Sequence, residues 1–219
     1  MSYSHALTLR RQRIVRDSLN VLRYGQEAPR WNELIWVDPR SCLGNPFPKQ
    51  KGYLKSDSAR VINTWPKTEP GPPTQDERIK ACLDHWVDGL SWEETGRIDE
   101  WHALIHAGDS AYGCRTRQDI IDRCAAWDRL FERVKSEGRL RSQQELRGPK
   151  HRELGGIGVH VGPDGRIYKG RDGHHRFAIA LALGLTVIPA TVGLVYRGSL
   201  DHLQSLRRQP HDMEPSHSS

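Results

Sequence analysis

Residues Asp172-Gly173-His174-His175-Arg176 gather a carboxylate, two imidazoles and a guanidinium directly ahead of the run Phe177-Ala178-Ile179-Ala180-Leu181-Ala182-Leu183. That run has strong helix propensity, and Gly184 supplies a natural stop. The polar group therefore falls at a predicted helix start, where free backbone N–H groups and the positive dipole end favour an anion. A guanidinium grips phosphate oxygens as a bidentate fork, and Gly173 lets the backbone approach a ligand closely. The chemistry predicted here is phosphate binding, with Gly173, His174, His175 and Arg176 as the cradle. Asp172 has two readings: the N-cap of the helix, or a Mg²⁺ ligand or base toward a hydroxyl. Adjacent side chains at a helix start diverge by about 100°, so His160, His174 and His175 are not expected to share a tetrahedral metal site.

Strands must position this group. Ile157 to Val161 is short and β-branched, Gly162-Pro163-Asp164-Gly165 is a strong turn signal, and Arg166-Ile167-Tyr168 is the returning strand. Thr186 to Val195 is a second β-branched run, interrupted only by Pro189. The order is hairpin, polar turn, helix, strand. Far upstream, Leu34-Ile35-Trp36-Val37 reads as a short strand flanked by Glu33 and closed by Asp38-Pro39. His5 to Tyr24 reads as a helix, with Leu7, Ile14, Val15, Leu19 and Leu22 as an apolar stripe and the arginines mostly opposite.

The box Gly173-His174-His175-Arg176, with the following Ile188-Pro189-Ala190-Thr191-Val192, resembles the ParB/sulfiredoxin superfamily. There a strand leads into a Gly-x-x-Arg box at a helix N-terminus, and a strand reading roughly Ile-Pro-x-x-Val follows. The resemblance spans about a fifth of the chain. It implies an α+β fold with a small mixed sheet, whose core strands lie at about 34–38 and 155–197. It also implies a box that contacts the phosphates of ATP, ADP or CTP, with Mg²⁺ held by Asp172. Sulfiredoxins carry their catalytic Cys at the second box position, and His174 stands there instead, so sulfiredoxin chemistry is not expected. ParB partition proteins have Glu-Arg in the middle of the box, where this chain has His-His. The Asp-Gly-His-His-Arg form is more similar to stand-alone members, which include free-amino-acid kinases. The resemblance then implies a phosphotransferase acting on a small hydroxyl compound. In that mechanism Asp172 or Glu33 accepts the substrate proton, and His174 occupies the variable position nearest the chemistry. Arg123-Cys124-x-x-Trp127-Asp128-x-Leu130-Phe131 also resembles helical segments that precede the box in such members.

The remainder of the chain bounds these expectations. Its 219 residues suit one domain over 1–206, with a helical insertion at about 74–147 and a disordered tail at 207–219. Within the insertion, Thr74/Glu77 and Ser91/Glu94 have capping-box spacing. Arg117 to Glu137 carries apolar residues at helical spacing and stops at Gly138, and Ser142 to Leu146 suggests a single turn. Cys42 to Pro73 is rich in Pro, Gly, Lys and Ser and reads mostly as loop, with Arg60 to Asn63 as a short edge strand. Its lysines are within reach of a phosphate if the loop acts as a lid. A further short helix is expected at Leu200 to Leu206.

The four cysteines form no C-x-x-C pair, which argues against a zinc ribbon. Cys82 and Cys124 read as small core residues. No apolar run reaches the length of a membrane span, and MSYSHALTLRRQRIV has no secretory pattern, so a cytoplasmic protein without a membrane partner is expected. A net charge of +6 permits a polyanionic partner. A DNA-binding or nuclease-like module is the alternative, although no helix-turn-helix follows the box. It gains support if the N-terminal arginines and Arg207-Arg208 meet on one face. A ligand- or partner-binding protein without turnover is the third reading.

Overall fold

The structure, a computed structural model, describes residues 3–47, 57–108, 113–148 and 151–208, with only the backbone of residues 3–10 and 12. The lysines at 49, 51 and 55 and the tail from residue 209 lie outside the described residues. The chain is mixed α/β and forms two compact units. One comprises residues 1–73, 141–173 and 186–219; the other comprises 74–140 and 174–185.

The first unit holds a five-stranded mixed sheet: β1 (Leu34–Val37), β2 (Arg60–Ile62), β3 (Ile157–Val161), β4 (Ile167–Lys169) and β5 (Ile188–Tyr196). The spatial order is β1-β5-β3-β4, and β2 pairs with the far half of β5. β5 is central, antiparallel to β1 and parallel to β2 and β3. A strand buried on both faces reads as a near-continuous apolar run, and the β5 sequence IPATVGLVY does so. Pro189 pairs with Trp36 of β1, one residue before β5 first meets β3 at Ala190. There its missing N–H costs β3 no bond. Ile35, Ile157, Val159, Val161, Ile188, Ala190, Val192 and Val195 are fully enclosed and form the core.

Between Val159 and Val161, β3 advances two residues while β5 advances three, from Val192 to Val195. This β-bulge turns the Leu194 N–H out of the ladder, and it donates to His160 Nδ1 at 3.0 Å. The bulge thus fixes both the place and the tautomer of His160.

Among the described residues, three α-helices belong to this unit: α1 (Tyr3–Tyr24), the short α5 (Gln143–Arg147) and α7 (His202–Leu206). The packing of α1 departs from the amphipathic expectation. Its polar side faces inward: Asn20 donates to Pro29 O and Ala59 O, both at 2.7 Å, and Asp17 accepts from Trp31 N at 2.7 Å. Ile14, Val15, Leu19 and Leu22 are exposed, Leu22 at 83%. The predicted stripe is real as a pattern but does not pack on the sheet, because buried polar anchors set the helix rotation. Arg207 is likewise no part of a loose tail. Its guanidinium donates to Glu33 Oε1 at 2.6 Å and to Glu27 Oε2 at 2.8 Å.

The second unit is helical: α2 (Glu77–Trp86), α3 (Arg97–His106), α4 (Arg117–Glu137) and α6 (His174–Ala182). α4 has the expected bounds, opened by a Thr116/Asp119 capping box and closed by left-handed Gly138. Two starts differ from expectation. α2 is capped by Asp76, because residues 73–75 form a 3₁₀ turn. The Ser91/Glu94 box does form, at 2.7 and 3.2 Å, but it closes a turn, and left-handed Gly96 delays α3 to Arg97. α6 packs against α2 and α4. An aromatic cluster fills this unit, with Trp86 stacked on Phe131 and His85 on Trp92. The Asp128 carboxylate accepts from the indole N–H of Trp86 at 2.9 Å and of Trp92 at 3.1 Å. Indole N–H groups in a core need such acceptors. Cys82 and Cys124 are free and buried here, and burial pushes both thiols up to about 12. No helix among the described residues is long and apolar enough to cross a membrane.

Candidate functional site

The turn that joins β4 to α6 starts from Lys169. Its buried ammonium donates to Gly170 O at 2.8 Å and to Asp172 O at 2.5 Å. A buried cation tied to carbonyls defines the path of residues 170–172 and leaves positive charge behind them. Gly173 follows with φ +75, and a Cβ there would come within 2.7 Å of Ile157 Cα. Both the backbone angle and the contact admit only glycine. The box glycine is therefore used to bring the turn against β3.

Beside this turn, wholly within the sheet unit, lies a cleft. Its walls include Asn32, Asp57, Ser58, His160, Arg171, Asp172 and Thr191, and the Asp57 carboxylate lies 3.5 Å from the Arg60 guanidinium. The enclosed volume is about 60 Å³, room for about four water-sized groups. Each wall has a traceable cause. Asn32 stands in the left-handed region at φ +47, which Asn tolerates. Its backbone N–H donates to Ser58 Oγ at 2.8 Å, and Ser58 donates onward to Val192 O at 2.5 Å. Gly193 makes room for the imidazole, since a Cβ there would meet His160 Nδ1 at 2.4 Å.

The electrostatics are uneven. Burial, with the Lys169 charge added, holds His160 down to about 3, so it is neutral. With Nδ1 accepting from Leu194, the ring proton sits on Nε2 and makes it a donor. Arg171 and Asp172 are exposed at the rim, and neither side chain has a partner among the described residues. Asp172 thus does not act as the side-chain N-cap that one sequence reading allowed. Among the described residues, two buried groups, Asn32 Nδ2 and Thr191 Oγ1, have no hydrogen-bond partner. Buried polar groups are paired in the great majority of cases, and an orphan costs roughly 1–3 kcal/mol. Two orphans on the wall of one cleft point to something that belongs in it.

The other predicted site residues are placed elsewhere. His174 is buried in the helical unit with Nε2 at 3.6 Å from Asp76 Oδ2. Burial tends to raise the Asp76 carboxyl, but the hydrogen bonds of Arg78 and the charge of His174 outweigh it and hold it at about 2. His175 stacks on Trp127 of α4, with ring centroids 3.5 Å apart and planes 17° from parallel. Burial above all, then the charges of Arg97, Arg78 and Arg123, holds it down to about 3. Both imidazoles therefore serve the packing of α6, which the polar look of the box concealed. Arg176 lies half-buried on the same helix. Glu33 is remote from a base role: its carboxylate accepts from Arg207 Nε at 2.6 Å and from the Arg30 backbone N–H at 2.8 Å, and it lines a different cleft from Asp172.

Asn32, Ser58, His160 and Thr191 were not singled out by sequence as ligand-binding residues. One signal was available for Thr191. It is the single aliphatic hydroxyl in an otherwise apolar strand, followed two residues later by a glycine. Among the described residues, no group of three or more His, Cys, Asp or Glu side chains is placed to hold a metal ion. Mg²⁺ commonly uses one or two carboxylates together with ligand phosphates, and the free Asp172 carboxylate suits that role. No protein-family model, no curated protein and no solved structure matches this chain.

Proposed function

We propose that this chain is a nucleotide-binding protein of ParB/sulfiredoxin type, and that it receives the phosphate end of ATP, ADP or CTP in the cleft beside residues 170–173. The order of hairpin, Asp-Gly turn, helix and central strand supports the fold reading. One observation carries the ligand reading: among the described residues, Asn32 Nδ2 and Thr191 Oγ1 are orphaned polar groups in a cleft whose rim holds an Arg171 guanidinium with no partner. Together with the His160 Nε2 proton and the Lys169 ammonium behind the turn, these groups suit an oxyanion. The enclosed volume takes a phosphoryl group, and the rest of the nucleotide occupies the open side. Asp172 would hold Mg²⁺, whose charge offsets that of the phosphates when it is bound. If phosphoryl transfer to a small hydroxyl compound follows, it proceeds by positioning and charge neutralisation. Asp172 is then the rim carboxylate either for Mg²⁺ or, in its place, for the acceptor proton, and Glu33 has no part in it.

The test is a thermal-shift and calorimetric panel of ATP, ADP and CTP with and without Mg²⁺, on wild type and Arg171→Ala. Ligand at a hundred times its Kd adds about 2.7 kcal/mol of apparent stability, or about 5–10 °C for a chain of this size. Absence of a shift and of binding heat for every nucleotide in Mg²⁺ defeats the reading.

A further inference from the structure

The cleft that contains Glu33 has no role in the reading above and shares no residue with the Asp172 cleft. Arg13, Arg30, Glu33, Gln144, His151 and Arg152 line it, within the sheet unit, around about 540 Å³. Arg152 is pre-positioned. Its Nη1 donates to Trp31 O at 2.7 Å and lies 2.9 Å from Asp17 Oδ2, whose other oxygen accepts the Trp31 N–H at 2.7 Å. Among the described lining residues the one acid, Glu33, is already occupied by Arg207 and by the Arg30 backbone N–H. Arg13 and Arg30 form no ion pair with a carboxylate among the described residues. The Arg30 guanidinium gives one bond, to Gln26 O at 3.2 Å, which leaves most of its donors open.

Charge decides the class of ligand. The lining carries three guanidiniums against one carboxylate. With the ion-pair partners Arg207, Asp17 and Glu27 added, cations still exceed anions by four to three. The N-terminal arginines and Arg207, which read in sequence as separate surface charges, meet here: Arg13 lines the cleft and Arg207 clamps Glu33. Planar guanidinium forks held at the wall of a concavity match tetrahedral oxyanions carrying more than one charge. We infer that this cleft binds a multiply charged phosphate group. Its source is either a free phosphorylated solute or the backbone of a nucleic acid.

The probe is inorganic pyrophosphate, titrated calorimetrically into the full chain at low and at physiological salt. The Arg171→Ala chain, in which the other cleft has lost its guanidinium, binds one equivalent. Arg13→Ala and Arg30→Ala each weaken binding by about tenfold, the worth of one charge-assisted hydrogen bond. Arg30→Lys, which keeps the charge but loses the fork, falls between. All three variants keep the wild-type melting temperature. These titrations are made in the Arg171→Ala background, which removes the phosphate contact proposed for the other cleft, so failure of the nucleotide reading and failure of this one are separable. A short duplex DNA in parallel identifies the source. Binding that is lost in Arg30→Ala, displaced by pyrophosphate and steeply salt-dependent assigns the phosphate to a nucleic acid. Pyrophosphate binding without duplex binding assigns it to a solute. The inference is overturned if pyrophosphate does not bind, if neither arginine variant changes its affinity, if Arg171→Ala abolishes it, or if citrate binds equally well.

Discussion

Thr191→Val isolates the orphaned hydroxyl. Valine keeps the β-branched shape that a central strand favours and removes only the polar atom. Thr191 is 9% exposed, pairs with Leu34 on one side and Gly158 on the other, and its Oγ1 has no partner. Without ligand, the substitution removes a desolvated group that returns nothing, so stability rises by about 1–2 kcal/mol. For a chain of this size that is about 2–8 °C in Tm. With ligand, the same substitution removes a hydrogen bond to a charged group and weakens binding by about ten- to a hundredfold. Ser58→Ala is the control from the same wall. Its hydroxyl bridges Asn32 N–H and Val192 O, so its loss strands two buried groups and lowers stability by about 1–3 kcal/mol. The assay is denaturant unfolding followed by tryptophan fluorescence, paired with calorimetric titration of the best nucleotide. Opposite signs for the two variants are expected. A destabilised Thr191→Val, or one that binds nucleotide as well as wild type, refutes the assignment.

Two further outcomes follow from other parts of the chain. His160 and His175 are both held down to about 3 by burial, against about 6.5 when unfolded. The unfolded chain then binds more protons below pH 6.5, and stability present above that pH is lost as pH falls toward 3. Between pH 7 and pH 5 each histidine removes about 2 kcal/mol. Urea unfolding across that range checks this, and a flat profile shows that the imidazoles are not kept neutral. Gly173→Ala combines a left-handed backbone with a Cβ 2.7 Å from Ile157 Cα, and Gly184→Ala has the backbone angle alone, with open space around it. The first is expected to cost about 2–4 kcal/mol and the second about 1. Equal losses in thermal melts would mean that the turn is not pressed against β3.

Local interactions made several elements readable from sequence. Helical apolar spacing and the stop at Gly138 give α4 its bounds, and each end is set by residues a few positions away, Thr116 with Asp119 at the start and Gly138 at the close, so its limits need no tertiary partner. The β3 and β4 hairpin and the glycine ahead of α6 are legible for the same reason: turn chemistry and backbone angle are properties of adjacent residues. Helix rotation and side-chain allegiance are not. Periodicity finds the stripe on α1, but Asn20 and Asp17 decide that the stripe faces out, through acceptors and donors up to 39 residues away. His174 and His175 look like ligand-binding groups beside Arg176 until α2 supplies Asp76 and α4 supplies Trp127. Glu33 looks like a candidate base until Arg207, 174 residues later, occupies it. The cleft shows the same division. Asn32, Ser58 and Thr191 come from three distant segments, and whether a buried polar atom is satisfied depends on every group packed around it. Sequence therefore determined where the chain turns and which stretches coil or extend, because those choices are made between neighbours. Only the tertiary structure decided which polar groups were consumed by packing and which were left to face a ligand.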